Sequence, residues 1–361
     1  MADRRAVVHV TGVHATSALG RGAEAQLAGV LAGEPAFGPV SRFDTTARRV
    51  DRAATLTDVG PLADELADAV DAACADAGLT ATDRAAAALL VAVHGGPDAG
   101  PLAAGLARRA GTGGPCRVYT TACVSASTAV ADAAALIRRG DADRVVVAAG
   151  YLVEPDQYAL FDAGRALATD GTVRPFSTGR TGLLLGDGVA AVVLESATVA
   201  RRPLADLLGW GRAGDAFHAC RPDPQGRGLA RAVDAALRRA DLPAEAVGYV
   251  NANATGTGFS DASEANALRL ALGPAADRVP VSSTKALHGH ALEASGLLEL
   301  VVTVLAVRHG KLPVNAGFLG PDEACPLDVV LDAPRPAATP YALSLNAAFG
   351  GANTALLVGA A

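Results

Sequence analysis

The chain has 361 residues, half of them hydrophobic, with 40 glycines and only 4% aromatics. That is enough apolar material for one large core or two fused ones, with small residues that let layers approach closely. A formal charge of −6 and the lack of any long Lys or Arg run exclude a phosphate-binding stripe, and with it a nucleic-acid partner.

The N-terminal Met-Ala-Asp-Arg-Arg-Ala leads into a strand-like run at 6–11, not into the extended apolar stretch of a signal peptide. Helical periodicity follows over 22–32 and 61–77, then a strand over 88–93 and a helix over 99–110. An apolar approach next reaches Thr-Thr-Ala-Cys-Val-Ser-Ala-Ser (120–127), which opens a helix over 124–139. That helix stops at Arg138-Arg139-Gly140, with cations in the last turn and glycine just beyond. Cys123 thus stands at a helix N-terminus, where the positive pole and free N–H groups are expected to lower the thiol pKa and enrich the thiolate. It is a candidate nucleophile.

Strands are expected at 144–149 and 189–195, a helix over 229–240, and a strand at 248–251. Asn-Ala-Asn-Ala-Thr-Gly-Thr-Gly (251–258) then precedes a helix over 261–272 that carries Asp261 and Glu264. Ser-Ser-Thr-Lys-Ala-Leu-His-Gly-His (282–290) enters a helix over 291–309, and Asn346–Asn353 is a glycine turn between apolar strands, the second at 355–358. The alternation indicates α/β layers around a buried sheet. The apolar runs at 145–153 and 183–194 are too short, or broken by Asp187, to span a membrane. Five cysteines (74, 116, 123, 220, 325) show no paired spacing, which suits free thiols in a reducing cytoplasm and argues against zinc.

An internal duplication also emerges. Cys123 opens a helix ending Arg138-Arg139-Gly140, and His290 precedes one ending Arg308-His309-Gly310. Each half, 1–200 and 201–361, would place one reactive side chain at a helix N-terminus, and a pseudo-twofold would bring the two ends together.

Ordered along nearly the whole chain are Val-Thr-Gly-Val-His-Ala-Thr-Ser-Ala-Leu-Gly (10–20), Gly-Asp-Ala-Asp (140–143), Arg-Pro-Phe-Ser (174–177), Gly-Asp-Gly (186–188) and Phe-Gly-Gly-Ala-Asn (349–353). In these motifs the sequence resembles the β-ketoacyl synthases of the thiolase fold. The resemblance implies an α/β, thiolase-like five-layer αβαβα fold built from two duplicated halves. By the same resemblance Cys123 is the acyl-accepting nucleophile, and its oxyanion is held by the N–H groups of Cys123 and Phe349 in the Phe349-Gly350 loop. His290 matches the second family histidine, which assists decarboxylation of a malonyl extender. Lys285 and Glu299 match a supporting charged pair. Thr255 and Thr257 match the threonines that hold a phosphopantetheine arm, and Phe349 matches a gate.

The chain departs from that pattern in four places, one of them Ser177, which replaces the usual Asp after Arg-Pro-Phe. Asn253 stands where the family has its first catalytic histidine; an amide donates a hydrogen bond but takes no proton near neutral pH. The stretch from His94-Gly95-Gly96 to Cys123 is about half the family's usual length, which alters the acyl-pocket wall and the dimer seam. Cys220 and Arg221 sit in the pantetheine-side segment where hydroxyl residues are usual.

The function implied is loading of an acyl group on Cys123 from an acyl carrier protein or CoA thioester, then decarboxylative condensation in polyketide- or fatty-acid-type synthesis. The alternatives are a non-condensing transacylase, acyl transfer to an amine or alcohol, and a non-catalytic chain-length-type partner of another ketosynthase. No metal or organic cofactor is implied beyond the phosphopantetheine arm or CoA as substrate. A homodimer, or a heterodimer with a ketosynthase-like subunit, is expected in the cytoplasm.

Overall fold

Runs of Val, Ala and Leu without polar alternation make strands buried on both faces, and such strands demand helices above and below. Ala88–Ala92 and Gly188–Ser196 are buried along their whole length. The computed structural model describes residues 7–361, so Ala6, at the start of the first expected strand, lies outside the described residues.

In chain order the first half supplies strands Val8–Ser17 (β1), Ala88–Ala92 (β2), Cys116–Tyr119 (β3), Arg144–Tyr151 (β4) and Gly188–Ser196 (β5). The second supplies Ala205–Gly214 (β6), Tyr249–Asn251 (β7), Pro280–Ser282 (β8), the two-residue edge Asp328–Val329 (β9), Tyr341–Ala347 (β10) and Ala352–Gly359 (β11). The sheet reads β9-β8-β7-β10-β11-β6-β1-β5-β4-β2-β3. Setting β9 aside, the order is a palindrome about the β6–β1 seam. Directions repeat as well: β2 runs parallel to β3 and β4, as β7 does to β8 and β10, while β4–β5–β1 and β10–β11–β6 are antiparallel.

The principal helices are Ala23–Ala32 (α1), Leu62–Asp76 (α2), Ala99–Ala110 (α3), Ser125–Arg139 (α4), Pro155–Ala163 (α5), Arg227–Ala240 (α6), Gly258–Leu272 (α7) and Ser295–His309 (α8). Helices α4 and α8 pack on each other and touch strands of both half-sheets; α2 and α3 cover the first half outside, and α6 and α7 the second. These are the five layers αβαβα. Because α8 is sandwiched, it is buried continuously from Ser295 to Ala306, as a helix apolar all round must be. Both central helices end as their sequences require, in Arg138-Arg139 and Arg308-His309 followed by left-handed Gly140 and Gly310. No helix among the described residues is long and apolar enough to cross a membrane.

Strand β6 escapes sequence reasoning because Gly209 and Gly211 argue against a strand there. Their role is close approach: a Cβ at Gly211 would lie 1.8 Å from the Ala232 carbonyl oxygen, and one at Gly209 2.1 Å from that of Ala236, both on α6. The duplication also needs correction. Ala122 and Leu292 both have positive φ (50° and 40°), each begins a 3-10 turn, and each turn feeds a 15-residue helix. Cys123 is therefore matched by Glu293, and not by His290.

Candidate active site

Positive φ at Ala122 turns the chain sharply, so the Cys123 side chain leaves the turn beside the start of α4. Its Sγ lies 3.2 Å from His290 Nε2. The His290 backbone is tied to the 184–186 segment through its own N–H to Leu184 O (2.8 Å) and its carbonyl to Gly186 N–H (3.0 Å). Its Nδ1 is 2.8 Å from Ser295 Oγ, which already accepts the Ala291 N–H at 3.0 Å. The Ser295 hydroxyl proton is then free to donate to Nδ1, which leaves the proton of a neutral imidazole on Nε2, facing the sulfur. Burial keeps the ring neutral: it lowers the His290 pKa well below its ordinary value, with the Lys285 charge acting in the same direction.

The expected thiolate enrichment at Cys123 does not hold. Burial pushes the thiol up to about 12, and the Glu293 carboxylate adds to the rise; Lys285 and the cysteine's own N–H pull the other way and lose. At rest Cys123 is a thiol.

Asn253 follows β7, and its N–H donates to Glu264 Oε1 at 2.7 Å. Asp261 pins the rest of the loop, one carboxylate oxygen accepting the N–H groups of Thr255 and Gly256 (3.1 and 3.2 Å), the other that of Phe176 (2.9 Å). Asn253 Oδ1 and Glu264 Oε2 have no partner among the described residues, and both residues line a water-sized cavity shared with Asp215 and Asn353. Burial pushes Glu264 up to about 8 from 4.5. The folded protein therefore keeps this proton where the unfolded chain has released it, so the group lowers stability progressively as pH rises from about 4.5 to about 8. Urea unfolding of the wild type and of Glu264→Gln across that range should show the difference between them moving in favour of the variant as pH increases. A pH-independent difference would contradict it.

Behind the nucleophile, Lys285 Nζ and Glu299 Oε1 are 2.5 Å apart and fully enclosed, and Asn346 Nδ2 donates to Glu299 Oε2 at 2.7 Å. His288 does not reach the nucleophile. Its ring nitrogens are spent on the Gly289 carbonyl (2.8 Å) and Thr284 Oγ1 (2.9 Å), and burial pushes it down to about 3.

A cavity of about 360 Å³ joins these parts: Cys123, His290 and Asn253 line it together with Thr255, Thr257, Cys220, Arg221 and Phe349. The two threonine hydroxyls lie 3.2 Å apart, and the Arg221 guanidinium stacks 4.9 Å above the Phe259 ring. Phe349 is half-exposed and stacks on Phe161 at 5.9 Å. Gly350, at φ +88°, gives its N–H to Ala219 O (2.7 Å), so that N–H is not free to meet an oxyanion; the Phe349 N–H makes no backbone hydrogen bond among the described residues. Lys285 and Glu299 support the site without lining the cavity. Sequence reasoning missed Ser295, Asn346 and the Glu264 contact as site residues. The helical spacing of Glu264 from Asp261 was the one available signal.

Comparison with known proteins identifies the family and the fold. Residues 95–200 match the family described as "Beta-ketoacyl synthase, N-terminal domain" and residues 204–319 that described as "Beta-ketoacyl synthase, C-terminal domain". A Staphylococcus aureus protein named 3-oxoacyl-[acyl-carrier-protein] synthase 2 is 34% identical over 258 residues, covering 68% of this chain and 64% of its own length. A Coxiella burnetii protein of the same name is 36% identical over 255 residues, covering 68% and 62%. The chain therefore matches somewhat less than two thirds of the length of these relatives. Among solved structures, one described as "The ishigamide ketosynthase/chain length factor" superposes with a TM-score of 0.91 at 28% identity, covering 98% of this chain and 99% of that one. A β-ketoacyl synthase from Burkholderia phymatum STM815 gives 0.89 at 27% identity over 98% and 99%.

Proposed function

Because the chain belongs to the β-ketoacyl synthase family, we propose that it is a condensing acyltransferase working through Cys123 and His290. The observation that carries this reading is the 3.2 Å approach of His290 Nε2 to Cys123 Sγ inside a cavity also lined by Asn253.

In the loading half, Sγ attacks the carbonyl of an acyl thioester from a carrier protein or CoA. The developing oxyanion takes the N–H groups of Cys123 and Phe349. The carbon–sulfur bond of the donor breaks, and the departing pantetheine thiolate receives the proton that Cys123 gives up. In the condensing half, a malonyl thioester occupies the cavity and loses CO2. His290 Nε2–H and the Asn253 amide donate to its carbonyl as negative charge gathers there. The carbanion joins the acyl carbon, the Cys123 sulfur leaves, and a β-ketoacyl thioester remains. Neither half calls for a metal or organic cofactor; the pantetheine arm is part of the substrate and rests on Thr255 and Thr257. The exposed edge strand β3 suits a dimer seam with a like or ketosynthase-like subunit, and a cytoplasmic setting suits the free cysteines.

Asn253 favours one second reading, a transacylase that loads but does not decarboxylate, because an amide replaces an imidazole at the oxyanion. Release of CO2 from malonyl thioester by acyl-loaded protein decides between them. Condensation predicts CO2 and a β-ketoacyl product, with both falling about 10²–10³-fold in Asn253→Ala while the Cys123 adduct still forms. An adduct without CO2, together with CO2 gained in Asn253→His, establishes the transacylase.

A further inference from the structure

The acyl group on Cys123 and the extender must be present together. With an extender's arm in the 360 Å³ cavity, as the proposed condensation requires, the acyl tail needs another way to leave the sulfur. Against the Cys123 turn packs the turn related to it by the duplication, which lies outside the lining of that cavity. The turns 122–124 and 292–294 touch, and the end of β4 packs against the second. This brings Glu293, the pseudo-symmetric mate of Cys123, together with Tyr151 and His94, and none of the three lines the entry cavity.

Their chemistry is unusual for packing residues. Glu293 and Tyr151 are 4% and 3% exposed, yet Glu293 Oε2 and the Tyr151 hydroxyl have no hydrogen-bond partner among the described residues. The other Glu293 oxygen is engaged by His94 Nδ1 at 2.9 Å, and the His94 side chain is 58% exposed, so the cluster opens to the surface. A carboxylate here also works against the nucleophile, since it disfavours the thiolate. A buried acceptor and a buried hydroxyl left unpaired are satisfied by a ligand that brings a hydrogen-bond donor to them.

We propose that Glu293, Tyr151 and His94 form an acyl-tail site that selects chains carrying a hydrogen-bond donor, a hydroxyl or an ammonium group, a few bonds from the thioester carbon. The proposal rests on acyl loading at Cys123 and names the substrate class for it. A purely alkyl tail would leave Glu293 Oε2 buried without a partner, whereas a donor-bearing tail pairs with it, and the exposed His94 edge leaves an outlet for longer chains.

The test is intact-mass measurement of loading rates with butyryl-, 3-hydroxybutyryl-, 4-hydroxybutyryl- and 4-aminobutyryl-pantetheine. The rate with each donor-bearing chain is taken relative to butyryl within each protein, so that any general loss of reactivity cancels. The wild type should favour at least one donor-bearing chain by about tenfold or more, with the hydroxyl and amino arms showing which donor is read. Glu293→Gln and the near-isosteric Tyr151→Phe should each pull that ratio toward one; if Glu293→Gln fails to fold, Tyr151→Phe carries the test. A wild type that loads butyryl as well as or better than all three, or ratios unchanged in Tyr151→Phe, overturns the site while leaving the loading reaction intact. Failure of every thioester to load overturns the loading reaction and this site with it.

Discussion

Cys123→Ala is expected to lose acyl-adduct formation completely and to lower β-ketoacyl product by at least about 10³-fold, because the thiol that meets His290 Nε2 at 3.2 Å is then gone. Cys220 makes this a demanding experiment. It lines the same cavity and is exposed, so a thiol remains within reach of an incoming thioester. The Cys220 thiol makes no hydrogen bond to an imidazole among the described residues; its backbone N–H donates to His218 Nδ1 at 3.0 Å. Peptide mapping of protein treated with acyl thioester should therefore place the acyl mass on the peptide containing Cys123, with none on Cys220 in the variant. Persistent turnover in Cys123→Ala, or an adduct that maps to Cys220, would reassign the nucleophile. The high resting pKa of Cys123 adds a second readout: general alkylation by iodoacetamide should be slower at Cys123 than at exposed Cys220, even though the thioester selects Cys123.

Lys285→Ala should be the most destabilising single change in the site, by about 3–5 kcal/mol in urea unfolding. Removing the ammonium leaves Glu299 charged in a dry interior, with only the Asn346 amide at 2.7 Å to hold it. Burial already pushes the Glu299 carboxyl up, and the Lys285 charge opposes that rise. Without Lys285 the carboxyl takes up a proton more readily, so the loss of stability should shrink as the pH is lowered. The double variant Lys285→Met with Glu299→Leu should be more stable than Lys285→Ala alone, since it strands no charge. A loss below about 1 kcal/mol, the range of a surface pair, would show that solvent reaches the pair.

Much of the architecture was open to reading from residue order. Unbroken apolar runs at 88–93, 144–149 and 189–195 became central strands, and the Arg-Arg-Gly and Arg-His-Gly endings placed the two central helices to within a few residues. Three residues singled out as motifs, Cys123, His290 and Phe349, do come together around one cavity. The strands at Ala205–Gly214 and Pro280–Ser282 were not visible. One carries glycines that only make sense against the backbone of α6, and the other is three residues long.

The thiol's ionisation was misjudged for a related reason. A helix N-terminus is a local feature that can be read along the chain, and it favours the thiolate. The opposing desolvation depends on how completely α8 and both half-sheets close over the sulfur, and the opposing charge comes from Glu293, 170 residues further along. Local order thus determined most of the elements and the ends of both central helices, because helix ends, strand runs and turn glycines are short-range choices. Only the folded layers decided which groups face one another: His290 with Cys123, Glu264 with Asn253, Gly350 with Ala219, Glu293 beside the nucleophile. Burial and pairing between distant segments set those relations, and neither leaves a mark at any one position in the chain.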